Sequence, residues 1–290
     1  MVEYNAPIRD YDFLFNEMFD AIPIAQRLGY DFDSDFLSML SEGWADHAKE
    51  VWLPINQLGD REGLKFNEGR ISMPPEFRSA YNSSREGGWL STACKPEHGG
   101  MGVPVFFQAV TWAEIGTSTN MAMSVLPALT LGVYDVLIEH GEKTLVDYFA
   151  THLASGEWSG TMCLTEPHAG TDLGIISTKA IPQDDGTYRV TGTKIFITYG
   201  EHDMTDNIVH LVLAKTPGAP EGTKGISLFL VPKFLPSDWE SGDRSLSKIA
   251  IPAPGLLPLV NPATRSSKIS SVFFQLVNFF QFVQNIFHQF

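Results

Sequence analysis

Two short segments concentrate the residue types that can do chemistry. The first, Met162-Cys163-Leu164-Thr165-Glu166-Pro167-His168-Ala169-Gly170-Thr171-Asp172, runs from an apolar strand into a loop of hydroxyls and glycine. Such a loop leaves backbone N–H groups free to meet an anion or the edge of a polar ring, with hydroxyls that donate or accept. It reads equally as a ligand-binding turn and as a hairpin connection whose threonines satisfy local backbone groups. The second segment is Gly192-Thr193-Lys194-Ile195-Phe196-Ile197-Thr198-Tyr199-Gly200. A strand over 194–198 would put Lys194, Phe196 and Thr198 on one face and Ile195 and Ile197 on the other. An aromatic beside a hydroxyl suits a flat heteroaromatic ring with polar edges, although an aromatic on a strand is more often a core residue.

Other chemistry-bearing residues read more plainly. His202, Asp203 and His210 lack a recognised metal-ligand spacing and read as loop and strand residues, so no metal site is expected. Cys94 and Cys163 lie 69 positions apart with no second thiol near either, which points to packed thiols in a reducing compartment. Glu97-His98 lies in a glycine-rich surface turn.

The elements around these segments change character along the chain. Phe36, Leu37, Leu40, Trp44, Ala48 and Val51 recur at helical spacing, which predicts a helix over 33–52 with Asp33 or Ser34 as its cap and Pro54 beyond its end. Pro74-Pro75-Glu76 opens a second helix through Tyr81, and further helices are expected over 105–115, 120–139 and 142–154. From Trp158 the period becomes roughly two, with strands expected over 158–164, 173–180, 188–190, 194–198, 207–214 and 225–231. No GxGxxG is present. The fold class is α+β and multi-domain: an all-α helical domain over 1–157, then an incomplete antiparallel β domain over 158–240.

Charge separates a third region. The 290 residues carry a formal net charge of −14, which disfavours nucleic acid as a partner. Residues 241–290 hold one acid and four bases, whereas 1–240 carry −17. Polar residues recur about every third position at the end of this tail, so a membrane span is not expected. The start has neither a signal nor a transit character, which leads to a cytoplasmic expectation.

Taken together, the two segments resemble the acyl-CoA dehydrogenases. The flavin motif of that family is a strand ending in Thr-Glu-Pro-x-Ala-Gly-Ser/Thr-Asp, followed by Lys-x-Trp/Phe-Ile-Thr/Ser, and residues 165–172 and 194–198 match it position by position. The resemblance covers about residues 1–236. Tyr4–Asp10, Glu201-His202-Asp203 and Gly222–Phe229 look most like the large bacterial-type branch, which includes the methylmercaptopropionyl-CoA dehydrogenases.

The resemblance implies FAD as cofactor, acyl-CoA as substrate, trans-2-enoyl-CoA as product, electron-transfer flavoprotein as acceptor and a homo-oligomer for the full-length family. It makes Met162, Cys163, Leu164, Thr165, Gly170 and Thr171 one wall of the flavin site, with Thr165 at the pyrimidine edge and Thr171 near the pyrophosphate and the acyl-CoA. Phe196, Ile197 and Thr198 line the ring, and Thr216 falls where a CoA-contacting serine often sits. Phe196 stands where many relatives have tryptophan, and His168 where glycine is usual. The catalytic glutamate belongs to a C-terminal helical bundle expected to be absent here, so no catalytic residue is assigned. Residues 241–290 read as unrelated or frame-shifted, and the chain as a truncated form inactive alone. The alternative is a non-catalytic flavin- or CoA-binding module, or a complementing subunit.

Overall fold

Of the two cap candidates, Asp33 starts the first long helix: its side chain accepts a hydrogen bond from Phe36 N at 2.9 Å, satisfying one of the orphan donors of α3 (Ser34–His47). Asp33→Ala is expected to lower stability by about 1 kcal/mol, read as a shift in the urea midpoint with unchanged slope. The helical path does not end at Trp52. A π-type turn over Ala48–Trp52 carries it into α4 (Leu53–Glu62), and Pro54 lies in the first turn of α4 rather than beyond a terminus. A first turn tolerates proline because the N–H it lacks has no required partner there.

The computed structural model describes residues 3–184 and 186–235, and the backbone of 257–258. Short helices α1 (Ile8–Asp12) and α2 (Ala21–Arg27) precede α3. After α4 come a small antiparallel hairpin of β1 (Lys65–Asn67) and β2 (Arg70–Ser72), which the all-α expectation omitted, and then α5 (Pro75–Glu86). A further run comprises α6 (Val105–Phe107), a second π-type turn (Gln108–Trp112) and α7 (Ala113–His140), followed by α8 (Lys143–Ala154). The expected break before residue 120 is a kink at Asn120, with φ −158° and ψ 97°. Asn120 Oδ1 accepts from Met123 N at 3.1 Å, so the residue caps the second half of the run. Val105–His140 is long and apolar enough to cross a membrane, but 56% of its most apolar window is buried within the protein, as in a core helix.

Two units separate by their contacts: one takes in residues 1–131, 154–157 and 201–206, the other 132–153, 158–200 and the residues from 207 on. Within the first, both π-type turns end on a tryptophan. Trp44 and Trp112 stack with ring centroids 5.0 Å apart, and Trp52 meets Trp44 edge-on at 4.8 Å, an arrangement that aromatic quadrupoles favour. The indole N–H groups are satisfied by Trp112 O, Ser84 Oγ and Trp89 O.

In the second unit β3 (Trp158–Cys163) is buried throughout and runs parallel to β6 (Asn207–Lys215), from Trp158 opposite Asn207 to Cys163 opposite Val212. β4 (Lys179–Pro182) pairs with β5 (Tyr188–Thr191) antiparallel and touches β6 in parallel at Lys215. β7 (Ile226–Pro232) pairs antiparallel with the other edge of β6, and β8 (Leu257–Pro258) with β7. The helical-then-β order holds. The sheet, however, is mixed and not antiparallel throughout, because β3 and β4 follow one another along one edge of β6 in the same direction. Residues 164–178 are the excursion between them. Apart from the backbone of 257–258, the tail assigned to 241–290 lies outside the described residues.

Candidate functional site

The excursion begins where the buried strand β3 stops. Met162 and Cys163 are still buried, Leu164 and Thr165 are half-buried, and Gly170 and Thr171 are exposed. A tight turn folds the loop back: Glu166 N and Ala169 N each donate to the other residue's carbonyl oxygen at 3.0 Å. Asp172 Oδ1 accepts from Gly174 N at 2.9 Å and opens a short 3-10 turn over Leu173–Ile175, where a strand was expected from 173; the extended backbone resumes in β4.

The side chain that organises this loop is Glu166, 1% exposed. Its Oε2 accepts from Ser177 N and Ser177 Oγ, both at 2.7 Å; its Oε1 accepts from Thr178 N at 3.1 Å, Thr178 Oγ1 at 2.5 Å and Lys194 Nζ at 2.9 Å. Burial alone would raise the carboxyl, but the bonds from Thr178, Ser177 and Lys194 outweigh it and hold the group at about 2. Lys194 donates a second bond to Leu164 O at 2.9 Å, and Ile195 N donates to Thr165 O at 2.9 Å. Burial lowers the Lys194 ammonium, with Glu166 opposing that shift. Three separate stretches, 164–166, 177–178 and 194–195, thus meet at one carboxylate.

The second segment runs on directly from this clasp. Residues 194–198 form no strand among the described residues. Phe196 has φ 58° and Tyr199 φ 52°, left-handed values that break the alternation on which the strand expectation rested. Lys194 and Phe196 therefore do not share a face. The Lys194 side chain is 9% exposed, whereas Phe196 is 89% exposed with its ring in the open. Ile197 turns the other way and packs on a core of Cys163, Ala180, Val212, Ala214, Phe229 and Val231. Thr198 is exposed.

The structure brings Leu164 and Thr165 against the 194–195 backbone and Ile197 against Cys163. The hydroxyls of Thr165, Thr171 and Thr198 make no hydrogen bond among the described residues. A Cβ at Gly170 would meet nothing within 4 Å, so the loop stands clear of the protein there. Thr216, past the end of β6, is half-buried and accepts from Ala219 N at 3.1 Å through its carbonyl. His168 is exposed and lies 3.2 Å from Ile175 O, holding the loop to itself.

Cys163 is a packed thiol: burial raises it to about 11, and it lies 3.9 Å from His210 Nδ1. His210 Nδ1 is 2.6 Å from Thr161 Oγ1, and His202 Nδ1 accepts from Met204 N at 3.1 Å. Residue reasoning named Glu166 and Lys194 but gave them no role. The available signal was an acid at the end of an apolar strand and a single lysine opening the second segment.

The profile of the acyl-CoA dehydrogenase middle domain matches residues 161–247, past the boundary expected at 240. The 3-methylmercaptopropionyl-CoA dehydrogenase of Ruegeria pomeroyi is 42% identical over 243 residues, covering 83% of this chain and 41% of that protein. A butyryl-CoA dehydrogenase of Syntrophomonas wolfei is 37% identical over 82% of this chain and 39% of its own length. The chain spans about two fifths of the length of these curated relatives. Among solved structures, butyryl-CoA dehydrogenase from Megasphaera elsdenii shares the fold with a TM-score of 0.56 at 22% identity, over 71% of this chain and 51% of that one. With the middle-domain profile matched and a 42% identical relative aligned over 83% of its residues, the chain belongs to the acyl-CoA dehydrogenase family.

Proposed function

We propose that this chain is the flavin-binding part of an FAD-dependent acyl-CoA dehydrogenase. The observation that carries the reading is Phe196, a large aromatic 89% exposed on left-handed backbone, beside two motif segments whose threonine hydroxyls are unpartnered among the described residues. Exposing such a ring is unfavourable unless something flat covers it. The residues fit a flavin: Phe196 and Ile197 offer an apolar wall, Thr165 and Thr198 offer hydroxyls for its polar edges, and the open loop at Gly170 and Thr171 leaves room for a pyrophosphate.

Bound FAD would supply the hydride acceptor for Cβ of an acyl-CoA, which would give a trans-2-enoyl product, with an electron-transfer flavoprotein as the proposed onward acceptor. The chain's own residues bind and orient. The Met162–Leu164 backbone borders the ring, Thr165 holds its pyrimidine edge, and Thr171 and Thr216 lie on the acyl-CoA side. Glu166 is not the base that takes the Cα proton: with five hydrogen-bond donors on its two oxygens it has no lone pair to spare.

Phe196→Ala tests the site. The variant is expected to weaken FAD about tenfold, the loss of about 1.4 kcal/mol appropriate to one stacked aromatic. Quenching of flavin fluorescence on titration measures it, and an affinity equal to that of the parent chain sinks the reading.

A further inference from the structure

The ion pair of Glu166 and Lys194 does more than fill a buried position. A buried pair is a weak source of net stability, because desolvating both charges offsets their attraction; what such a pair supplies is a defined geometry. Here the geometry lies directly beside the candidate flavin contacts. Thr165 sits between Leu164, whose carbonyl accepts from Lys194 Nζ, and Glu166, whose carboxylate accepts from the same ammonium, both at 2.9 Å. Phe196 follows two residues after Lys194.

The stretch from 194 to 200 has no strand pairing among the described residues; besides the clasp, its anchors include the Ile195 N to Thr165 O bond, the turn bond from Gly200 N to Ile197 O at 3.1 Å, the packing of Ile197 and the contacts of the half-buried Tyr199. Within it, Phe196 and Tyr199 both occupy left-handed backbone, which persists in residues with a Cβ only where surrounding contacts over-determine it. The clasp fixes the chain immediately before the first of these. Its carboxylate is in turn immobilised from the opposite side by the N–H and hydroxyl groups of Ser177 and Thr178, so that the start of β4 is part of the same brace.

The geometry points to the Glu166–Lys194 pair as the positioning element of the flavin site, setting the Thr165 hydroxyl and the Phe196 ring at fixed separation without itself touching the cofactor. This rests on the flavin reading above. The pair acts through preorganisation: without it the 194–200 stretch samples other conformations, and the cofactor must bear the cost of ordering it.

The test compares FAD affinity, the visible absorption of bound flavin and thermal melting in the full chain. Lys194→Met removes the ammonium and leaves Glu166 with its four donors from 177 and 178. Lys194→Arg restores a cation. Ile208→Ala, at the opposite end of β6 and 0% exposed, supplies a destabilised control remote from the loop. The expected result is FAD binding weakened at least tenfold in Lys194→Met, with a blurred flavin absorption band. Lys194→Arg should return to within about threefold of the parent, and Ile208→Ala should keep parental affinity despite an equal or larger fall in melting temperature. Parental affinity in Lys194→Met, or a loss that merely tracks melting temperature across all variants, overturns the positioning role while leaving the flavin reading intact. A parent chain that binds no FAD overturns the flavin reading, and the positioning role with it.

Discussion

Replacing Glu166 with glutamine is expected to cost about 3–5 kcal/mol at neutral pH, because it leaves the Lys194 ammonium buried against a neutral partner and turns amide N–H groups toward the donors of Ser177 and Thr178. The pH dependence gives the prediction its signature. The carboxyl is held at about 2 in the fold against an ordinary 4.5, so its contribution is complete above about 4.5 and is lost as pH falls toward 2. At about 1.4 kcal/mol per unit that contribution is about 3 kcal/mol. Urea unfolding of the parent and the variant between pH 7 and 3 should therefore show a gap that narrows only below 4.5. A gap under 1 kcal/mol, or one that does not change with pH, contradicts the assignment.

The second large effect lies on β6. His210 is fully buried with Nδ1 against Thr161 Oγ1, and its Nε2 has no partner among the described residues. Burial lowers the imidazole to about 3, and the Lys233 cation pushes in the same direction. A depressed histidine stabilises the fold as its neutral form. The stabilisation is complete above the unfolded value of about 6.5 and is lost as pH falls toward 3. About 3 kcal/mol should disappear between pH 6.5 and 4.5, above the window in which Glu166 titrates. His210→Gln keeps an acceptor for Thr161 and has no proton to gain, so the parent should lose about 3 kcal/mol relative to the variant over that interval, read by urea unfolding of both. A parent–variant gap that does not change over that interval would place this acid sensitivity elsewhere.

The two titrations also show what the residues alone could and could not reveal. Local rules located the start of α3 to within a residue, a break before residue 120, the helix after Gly141 and strands β3, β6 and β7, because each depends on nearby side chains and a clear period. The π-type turns before Leu53 and Ala113 were invisible, since apolar spacing barely changes when one turn widens by a residue and the reason for widening is the distant contact among Trp44, Trp52 and Trp112. The parallel pairing of β3 with β6 joins residues 49 apart, which no local pattern encodes.

The same limit applies within the site. The motif residues were legible as types, but Phe196 was placed on a strand because β-branched and aromatic neighbours favour one. The left-handed backbone at Phe196 follows directly on the Glu166 clasp, a contact between positions 28 apart that no local pattern encodes. Cys163 and His210, by contrast, are close in space, but the imidazole Nδ1 is engaged by Thr161 Oγ1 and burial holds the thiol at about 11, so proximity of reactive types does not make a nucleophile.

The most direct test of a flavin site built from residues 162–171 and 196–198 is a calorimetric titration of FAD into flavin-free chain, followed by competition with riboflavin. The account predicts saturation at one FAD per chain and partial displacement by riboflavin, which can occupy the ring pocket but not the pyrophosphate loop. An absence of binding heat, with flavin fluorescence remaining that of the free cofactor, would contradict it.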